Sequence, residues 1–456
     1  MNWNWPAAST RPIVAPNGKK WNFLVLFGDD WPLDIYSEMP DFAATYAADF
    51  ITFPNAVSEV PLCFPSRAAF MTGQSARWTE VVDNDSGDAY AAKALNYTLT
   101  RAMRNAGYYV CWAGKIYNGL GEGGAGGWGT LPWFHPGVDK MAGQWGAPDY
   151  FDWLELTTAG TTTARAEVDT NNSTTDYAVD VERERILSFL DECPTGRPWF
   201  VVWPSKGCHQ GNHGGGEPEP PSRYAATNVT LTEDPATFGV DPASLGIPDW
   251  ASNDAESPWD AAAIDAIRTS HRLALRVGRS VDEAVCAILA EIEARGETDN
   301  TIIMMCTDNA IGMGELRMAG KGNPHKSGTD LLLKVKVPGI DGGTCYAPVC
   351  NYDLSPTILA LAGAVPLIAP FGMSFDPVLQ DFSRPWREAA LMINPDRSPT
   401  FYALKFGGNP GAVHYRIAAG GGNTPANGGW SDLAQSTNVV IPGAAEKLAI
   451  LEESVS

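Results

Sequence analysis

Asn22-Phe23-Leu24-Val25-Leu26-Phe27 runs directly into Gly28-Asp29-Asp30. A short apolar run that stops at a turn reads as a strand buried on both faces, as in a parallel sheet. Three other runs share this design: Tyr108–Trp112 (YYVCW) before Ala113-Gly114-Lys115, Trp199–Trp203 (WFVVW) before a polar loop with Lys206 and His209, and Thr301–Cys306 (TIIMMC) before Thr307-Asp308-Asn309. Ligands of open α/β sheets bind beyond the carboxyl ends of the strands. One polar loop after a strand is commonplace. Four that deliver Asp, Lys, His and Asn predict a single site.

Between these strands the apolar spacing predicts helices at 65–72, 96–106, 175–192, 259–295 and 353–362. The segment 259–295 carries Ile264, Ile267, Leu273, Val281, Val285, Ile288 and Ile292 at helical spacing and is expected to pack on a sheet face. The expected fold is α/β, with a mainly parallel sheet flanked by helices. Residues 119–150 (rich in Gly and Trp) and 210–258 (rich in Gly, Pro and Asp) read as long loops, the kind that carry function. Composition shifts again near residue 375. The tail has Gly-rich turns and a predicted helix near 444–453. The expected division is a catalytic α/β domain over 1–378 and a small C-terminal α+β subdomain over 379–456.

Whole-chain figures exclude several classes. The chain has 456 residues, 44% apolar and 19% charged, with 32 Lys+Arg against 53 Asp+Glu and a net charge of −21. This is too apolar for a disordered chain and too acidic for one held by nucleic-acid phosphates. No stretch has the ~20 consecutive apolar residues of a membrane span. The start, Met-Asn-Trp-Asn-Trp-Pro, lacks a basic region followed by an apolar one, so the default expectation is a cytoplasmic chain. The eight cysteines include no Cys-x-x-Cys pair, which argues against a zinc ribbon. Buried free thiols are the plain reading. Cys345 and Cys350 are close enough in sequence to pair across a loop in an oxidising compartment.

The chemistry concentrates in Leu62-Cys63-Phe64-Pro65-Ser66-Arg67-Ala68-Ala69-Phe70-Met71-Thr72-Gly73. Pro65 suits a first helical turn. A helix N-terminus favours anions and activates a nucleophile placed there. Arg67, one turn on, offers a planar cation to a tetrahedral oxyanion.

Cys63-x-Pro65-Ser66-Arg67, followed by Met71-Thr72-Gly73, resembles the signature of the formylglycine-dependent sulfatases of the alkaline phosphatase superfamily, with spacing most similar to iduronate-sulfatase-like members. The resemblance extends to Asp29-Asp30, Gly114-Lys115, His209, Asp308-Asn309, Lys321, Asp353-x-x-Pro356-Thr357 and Gly372-x-Ser374, so it covers residues 20 to about 380. Tyr415-Arg416-Ile417 and Trp430-Ser431-Asp432-Leu433 are a weaker echo in the tail. It implies an alkaline-phosphatase-like fold and hydrolysis of a sulfate ester. Cys63 would be oxidised to formylglycine by a separate maturation enzyme. Asp29, Asp30, the modified Cys63, Asp308 and Asn309 would hold Ca²⁺, or else Mg²⁺, as an oxygen-rich set suits a hard cation. Arg67, Lys115, His209 and Lys321 would be the catalytic cations, with His209 or Lys321 protonating the leaving alcohol.

Two departures stand out. The family usually carries a His two or three residues after the Gly-Lys lysine, where this chain has Tyr117 and Asn118. By loop position, His213 and His325 are the substitutes. Ala310 follows Asp308-Asn309 where the family more often has Gly. These departures keep two alternatives open: a phosphate or phosphonate monoester hydrolase on the same site, and a non-catalytic protein of this fold that binds sulfated glycans or serves as a virion component. Trp128, Trp133 and Trp145 are candidates to stack on a sugar or aryl leaving group.

Overall fold

Strand β1 (Asn22–Gly28) sits at the middle of a nine-stranded sheet. In chain order the others are β2 (Ile51–Phe53), β3 (Tyr109–Gly114), β4 (Lys140–Gln144), β5 (Glu155–Thr157), β6 (Trp199–Trp203), β7 (Thr301–Thr307), β8 (Leu333–Lys336) and β9 (Gly343–Thr344). The spatial order is β9-β2-β8-β7-β1-β6-β3-β4-β5. The five central strands, β7 to β4, are mutually parallel, and antiparallel pairs enter only through β8 and β5. The structure is a computed structural model. It describes residues 13–115, 117–118, 135–144, 149–151, 155–157, 177–211, 216–229, 231, 238–241, 244, 259–315, 317, 319–322, 326–384, 386–387, 389–394, 401–406 and 413–417.

The central strands are apolar throughout because both faces are covered. Phe23, Val25 and Phe27 enter one core with Val110, Trp112, Phe200, Val202, Ile302 and Met304. There they meet α1 (Cys63–Thr72), α2 (Leu99–Asn105) and α5 (Leu354–Ala362), through Phe64, Phe70, Met103 and Ile358. Leu24 and Leu26 face the opposite way with Cys111, Val201, Trp203 and Met305. That core is closed by α3 (Ala178–Asp191) and α4 (Ala261–Ala294), through Ile186, Val277, Val281 and Ile288. Alternation along one strand thus feeds two cores, and truncating such a side chain typically costs about 2–5 kcal/mol.

All five predicted helices form, with altered ends. α1 begins at Cys63, not Pro65, because Leu62 is extended and its carbonyl already accepts from Ser66 N at 3.0 Å. α2 begins only at Leu99, after a separate 3₁₀ turn at Leu95–Tyr97. α4 reaches the sheet only over its later part. Its buried residues begin at Ala274, and Ile264 and Ile267 are only half-buried. The predicted loop 119–150 hides β4. The sequence Lys-Met-Ala-Gly-Gln is a poor strand former in isolation, and it is held by pairing with Cys111–Gly114 of β3.

In the tail, β10 (Ala389–Asn394), β11 (Phe401–Phe406) and β12 (Val413–Ile417) form an antiparallel sheet. Tyr415-Arg416-Ile417 lies on β12. Ile393 N donates to Glu59 O at 2.8 Å, tying this sheet to the loop before α1. The predicted helix near 444–453 and Trp430–Leu433 lie outside the described residues. Cys345 and Cys350 are free buried thiols, so their pairing is not formed. Among the described residues no helix is long and apolar enough to cross a membrane.

Candidate active site

Sheet register brings the two acidic pairs together. Gly28 is level with Thr307 across β1 and β7, and Asp308 N donates to Gly28 O at 3.0 Å. Asp29-Asp30 and Asp308-Asn309 therefore emerge side by side. Asp30 adopts a left-handed backbone (φ 54°), a conformation Asp tolerates better than most residues. Its N–H points to Asp308 Oδ1 at 3.4 Å, and its Oδ1 accepts from Asn309 Nδ2 at 2.6 Å.

α1 delivers the next two groups one turn apart. Cys63 Sγ lies 3.4 Å from Asp29 Oδ1. Arg67 donates through Nε to Asp308 Oδ2 at 3.0 Å and through Nη1 to Lys115 O at 2.6 Å, and its Nη2 is 3.6 Å from Asp29 Oδ1. Lys115, just past β3, donates to Asp29 Oδ2 at 2.5 Å. Lys321 donates to both Asp30 oxygens at 2.6 and 2.7 Å and contacts Cys63 Sγ at 2.7 Å. His209, past β6, holds Nε2 at 3.7 Å from Asp30 Oδ2. Asp29, Asp30, Cys63, Arg67, Lys115, His209, Asp308, Asn309 and Lys321 thus join one cluster, buried except at Lys321 (18% exposed) and His209 (25%).

Trp31 locks the site to the β6 loop. A Cβ on Gly28 would meet its ring at 2.2 Å, and one on Gly207, at φ +50°, would meet Nε1 at 2.4 Å. Only glycine leaves room for the indole at both positions.

The electrostatics are those of crowded carboxylates among cations. Burial alone would raise Asp29, yet Lys115, His209, Arg67 and Lys321 hold it well below its usual value. Asp30 is lowered in the same way, burial being outweighed chiefly by Lys321 and His209. Asp308 is pushed up to about 7 by burial and by Asp29, despite Arg67. Burial and the Asp29 charge push the Cys63 thiol up to about 12. An unmodified Cys63 is therefore a protonated thiol rather than a ready nucleophile.

The residues fit a hard divalent cation. Asp29, Asp30, Cys63 and His209 each bring one ligand-capable atom within 4.8 Å of the others. Asn309 Oδ1 is buried with no hydrogen-bond partner. An orphaned acceptor beside carboxylates suits a cation.

Sequence reading missed two features. Lys206 was seen on its loop but not assigned to the site. It is fully buried, and burial with the nearby Lys115 pushes its ammonium down to about 8. Its Nζ donates to Gln210 O at 2.7 Å and lies 3.5 Å from His209 Nδ1. The second feature is the environment of Tyr117. Its hydroxyl bonds Tyr90 OH at 2.5 Å and His135 Nε2 at 2.7 Å, while His135 Nδ1 meets Thr100 Oγ1 at 2.9 Å. Burial pushes His135 down to about 3, so this chain of groups is neutral. Nothing in the sequence joins His135 to Tyr117. His213, His325, Trp128, Trp133 and Trp145 lie outside the described residues.

A central parallel sheet that carries acidic pairs, lysines and a helix-borne cysteine at one carboxyl edge is an alkaline-phosphatase-like architecture. The sulfatase family profile matches residues 21–364, and the chain belongs to that family. Similar curated proteins include N-acetylglucosamine-6-sulfatase of Bos taurus (27% identical, 75% of this chain and 60% of that one) and choline-sulfatase of Rhizobium meliloti (25%, 75% and 63%). The chain thus spans about 60% of the length of the curated N-acetylglucosamine-6-sulfatases it matches. A protein solved with its substrate D-glucosamine-2-N,6-O-disulfate superposes with a TM-score of 0.73 at 19% identity, covering 96% of this chain and 97% of that one. Phosphonate monoester hydrolase of Agrobacterium radiobacter superposes at 0.68 with 17% identity, covering 96% of each chain.

Proposed function

We propose that this chain is a metal-dependent hydrolase that cleaves a sulfate ester at the Cys63 site. One observation carries the reading: Cys63, Arg67, Lys115 and Lys321 converge on Asp29, Asp30 and Asp308 in a single buried cluster. The family uses formylglycine and a divalent metal, and Ca²⁺ is the cation expected here. Asp29, Asp30, Asp308, Asn309 and the modified Cys63 would hold it. When present, the cation supplies Lewis-acid polarisation of the sulfate and the formylglycine supplies the attacking hydroxyl.

The chain's own residues do the rest. Arg67 is fixed on three sides, by Asp308, Asp29 and Lys115 O, so its guanidinium keeps one orientation as charge builds on the sulfate oxygens. Lys115, paired with Asp29, and Lys321, paired with Asp30 and touching Cys63 Sγ, add local positive charge to an acidic protein. Of the two residues expected to serve the leaving alcohol, Lys321 keeps protons to give, whereas His209 turns its Nδ1–H to Gln210 O. The Tyr117–His135 chain cannot replace the family's His as a proton acceptor by simple substitution, because the Tyr117 hydroxyl already bonds two neighbours.

The test uses protein from a host with the maturation enzyme. The Cys63 peptide should show the thiol-to-aldehyde mass loss, and the protein should release sulfate from an aryl sulfate. Cys63→Ala should lower kcat/KM by at least about 10⁴-fold, as expected for removing a covalent nucleophile. An unmodified thiol in native protein, or full activity in Cys63→Ala, would sink the reading. The neighbouring phosphonate monoester hydrolase fold keeps a second reading in view, and faster turnover of the matched aryl phosphonate would favour it.

A further inference from the structure

Among the described residues, the site cations are not equivalent. Arg67 is paired with Asp308 and Asp29, Lys115 with Asp29, and Lys321 with Asp30. Lys206 has no carboxylate within ion-pair distance. Its ammonium is buried, lies 4.8 Å from the centre of the Tyr150 ring, and donates to one protein acceptor, Gln210 O. A buried ammonium with N–H bonds to spare is an expensive arrangement unless a ligand uses them.

Its seat is built. Lys206 N donates to Glu182 Oε1 at 3.2 Å, and the same carboxyl accepts from Gln144 Nε2 at 3.0 Å and Trp203 Nε1 at 2.9 Å. Tyr150 OH reaches Gly207 O and His209 O, both at 2.7 Å. The loop is therefore fixed on both sides of Lys206, and Trp31 wedges it against β1.

His209 shows which direction Lys206 serves. Its Nδ1 lies 2.8 Å from Gln210 O, a contact that requires the proton on Nδ1. Nε2, facing Asp30, then carries a lone pair in the neutral ring and has no hydrogen to give. Lys206 Nζ stands on the far side of that ring from Asp30, one imidazole away from the metal-binding carboxylates. An alcohol portion that projects past His209, with its sulfate at Asp29, Asp30 and Cys63, would approach this ammonium.

We propose that Lys206 is a catalytic residue that donates a hydrogen bond to the leaving oxygen of the ester. This rests on the sulfatase reading of the site. As the sulfur–oxygen ester bond breaks, its electron pair passes to the alcohol oxygen. The Lys206 ammonium offsets that charge until the oxygen takes up, by way of Lys321, the proton that the attacking hydroxyl releases as its oxygen bonds to sulfur. The ammonium is unchanged at the end, so no other reactant is needed.

The experiment compares an ester that needs this help with one that does not. Matured wild-type, Lys206→Met, Lys206→Gln and Lys206→Arg proteins would be assayed on 4-nitrophenyl sulfate and on a simple primary alkyl sulfate. Formylglycine content would be measured by mass spectrometry, and folding by far-UV circular dichroism. Lys206→Met should lose about 10²–10³-fold in kcat/KM on the alkyl sulfate, the usual cost of one preorganised donor. The loss on 4-nitrophenyl sulfate should be less than about tenfold, because that leaving group carries its own charge. Lys206→Gln should fall between, and Lys206→Arg should recover at least about tenfold on the alkyl ester. Equal losses on both esters would mean that Lys206 only staples its loop, and would overturn the proposal alone. A fully matured wild-type protein that cleaves neither ester overturns the sulfatase reading and this role with it.

Discussion

The protein buries carboxylates in two settings that behave oppositely. At the site, Asp29 and Asp30 sit among Arg67, Lys115, Lys321 and His209 and stay below their usual values. Away from it, Glu59 and Glu182 are equally buried, but among the described residues neither has an ion-pair partner; Ser75 Oγ and Ala76 N hold Glu59, Trp203 Nε1, Gln144 Nε2 and Lys206 N hold Glu182, and Arg77 and Lys206 act on them only weakly. Burial pushes them up to about 7 and about 8. Depth alone therefore does not decide ionisation. What decides it is whether cations were folded in alongside. Asp308 is the intermediate case. It has Arg67 but also Asp29 and Asp30, and it rises to about 7. Arg67, Lys115 and Lys321 match the three carboxylates in number, but Asp29 and Asp30 crowd Asp308 and push it up.

The sharpest way to break this contrast is Arg67→Met. It should turn Asp308 into a Glu59-like group and destabilise the fold by about 3–5 kcal/mol at pH 8, the usual cost of orphaning a buried charge. The cost should shrink toward pH 5, where Asp308 can take a proton. Chemical denaturation at both pH values checks it, and an equal loss at each would contradict it.

Glu59→Gln tests the other half. The folded-state value of Glu59 is raised, so the folded protein keeps a proton that the unfolded chain releases. Its contribution is complete below about 4.5 and is lost as pH rises to about 7. The amide can still accept from Ala76 N and meet Ser75. Relative to wild type, Glu59→Gln should gain up to about 3 kcal/mol between pH 4.5 and 8. A stability difference that does not change with pH would show that Glu59 is ionised after all.

Ca²⁺ should act on one setting only. At about a hundredfold over its dissociation constant it should stabilise wild type by about 2.7 kcal/mol, read as a rise in thermal midpoint reversed by chelator. Glu59→Gln should keep that response and Asp29→Asn should lose it. The smallest effect belongs to the surface. Lys93 and Glu80 form a close pair with side chains 35% and 61% exposed, and Lys93→Ala should change stability by no more than about 0.5 kcal/mol. A cost above 1 kcal/mol there would blur the distinction between buried and exposed charge.

The same contrast explains what was legible in the sequence. Asp29-Asp30 and Asp308-Asn309 could be found because strands that are apolar along their whole length end abruptly in charge, and Cys63-x-Pro65-Ser66-Arg67 could be found because its spacing is distinctive. The four strands, and all five helices to within a few residues, followed from apolar spacing. Lys206 was overlooked because a lysine in a polar loop is ordinarily solvated, and only the fold shows that it is buried and unpaired. Lys140–Gln144 was overlooked because its strand state comes from its neighbour and not from its own residues. The Tyr117–His135 contact spans a segment with no pattern to read, so the structure alone brings these residues together.

The indole of Trp31, fitted between Gly28 and Gly207, couples two halves of the reaction mechanically. Because the β1 turn bearing Asp29 and Asp30 and the β6 loop bearing Lys206 and His209 close on the same ring, neither can shift without expelling it. The spacing between the metal-side and alcohol-side groups is then a fixed gauge, set by the width of one aromatic ring. Any redesign toward a different ester would have to work in the surrounding loops. Widening the gauge itself would mean changing a glycine or the tryptophan, with Asp29, Asp30 and the loop of Lys206 and His209 losing alignment at once.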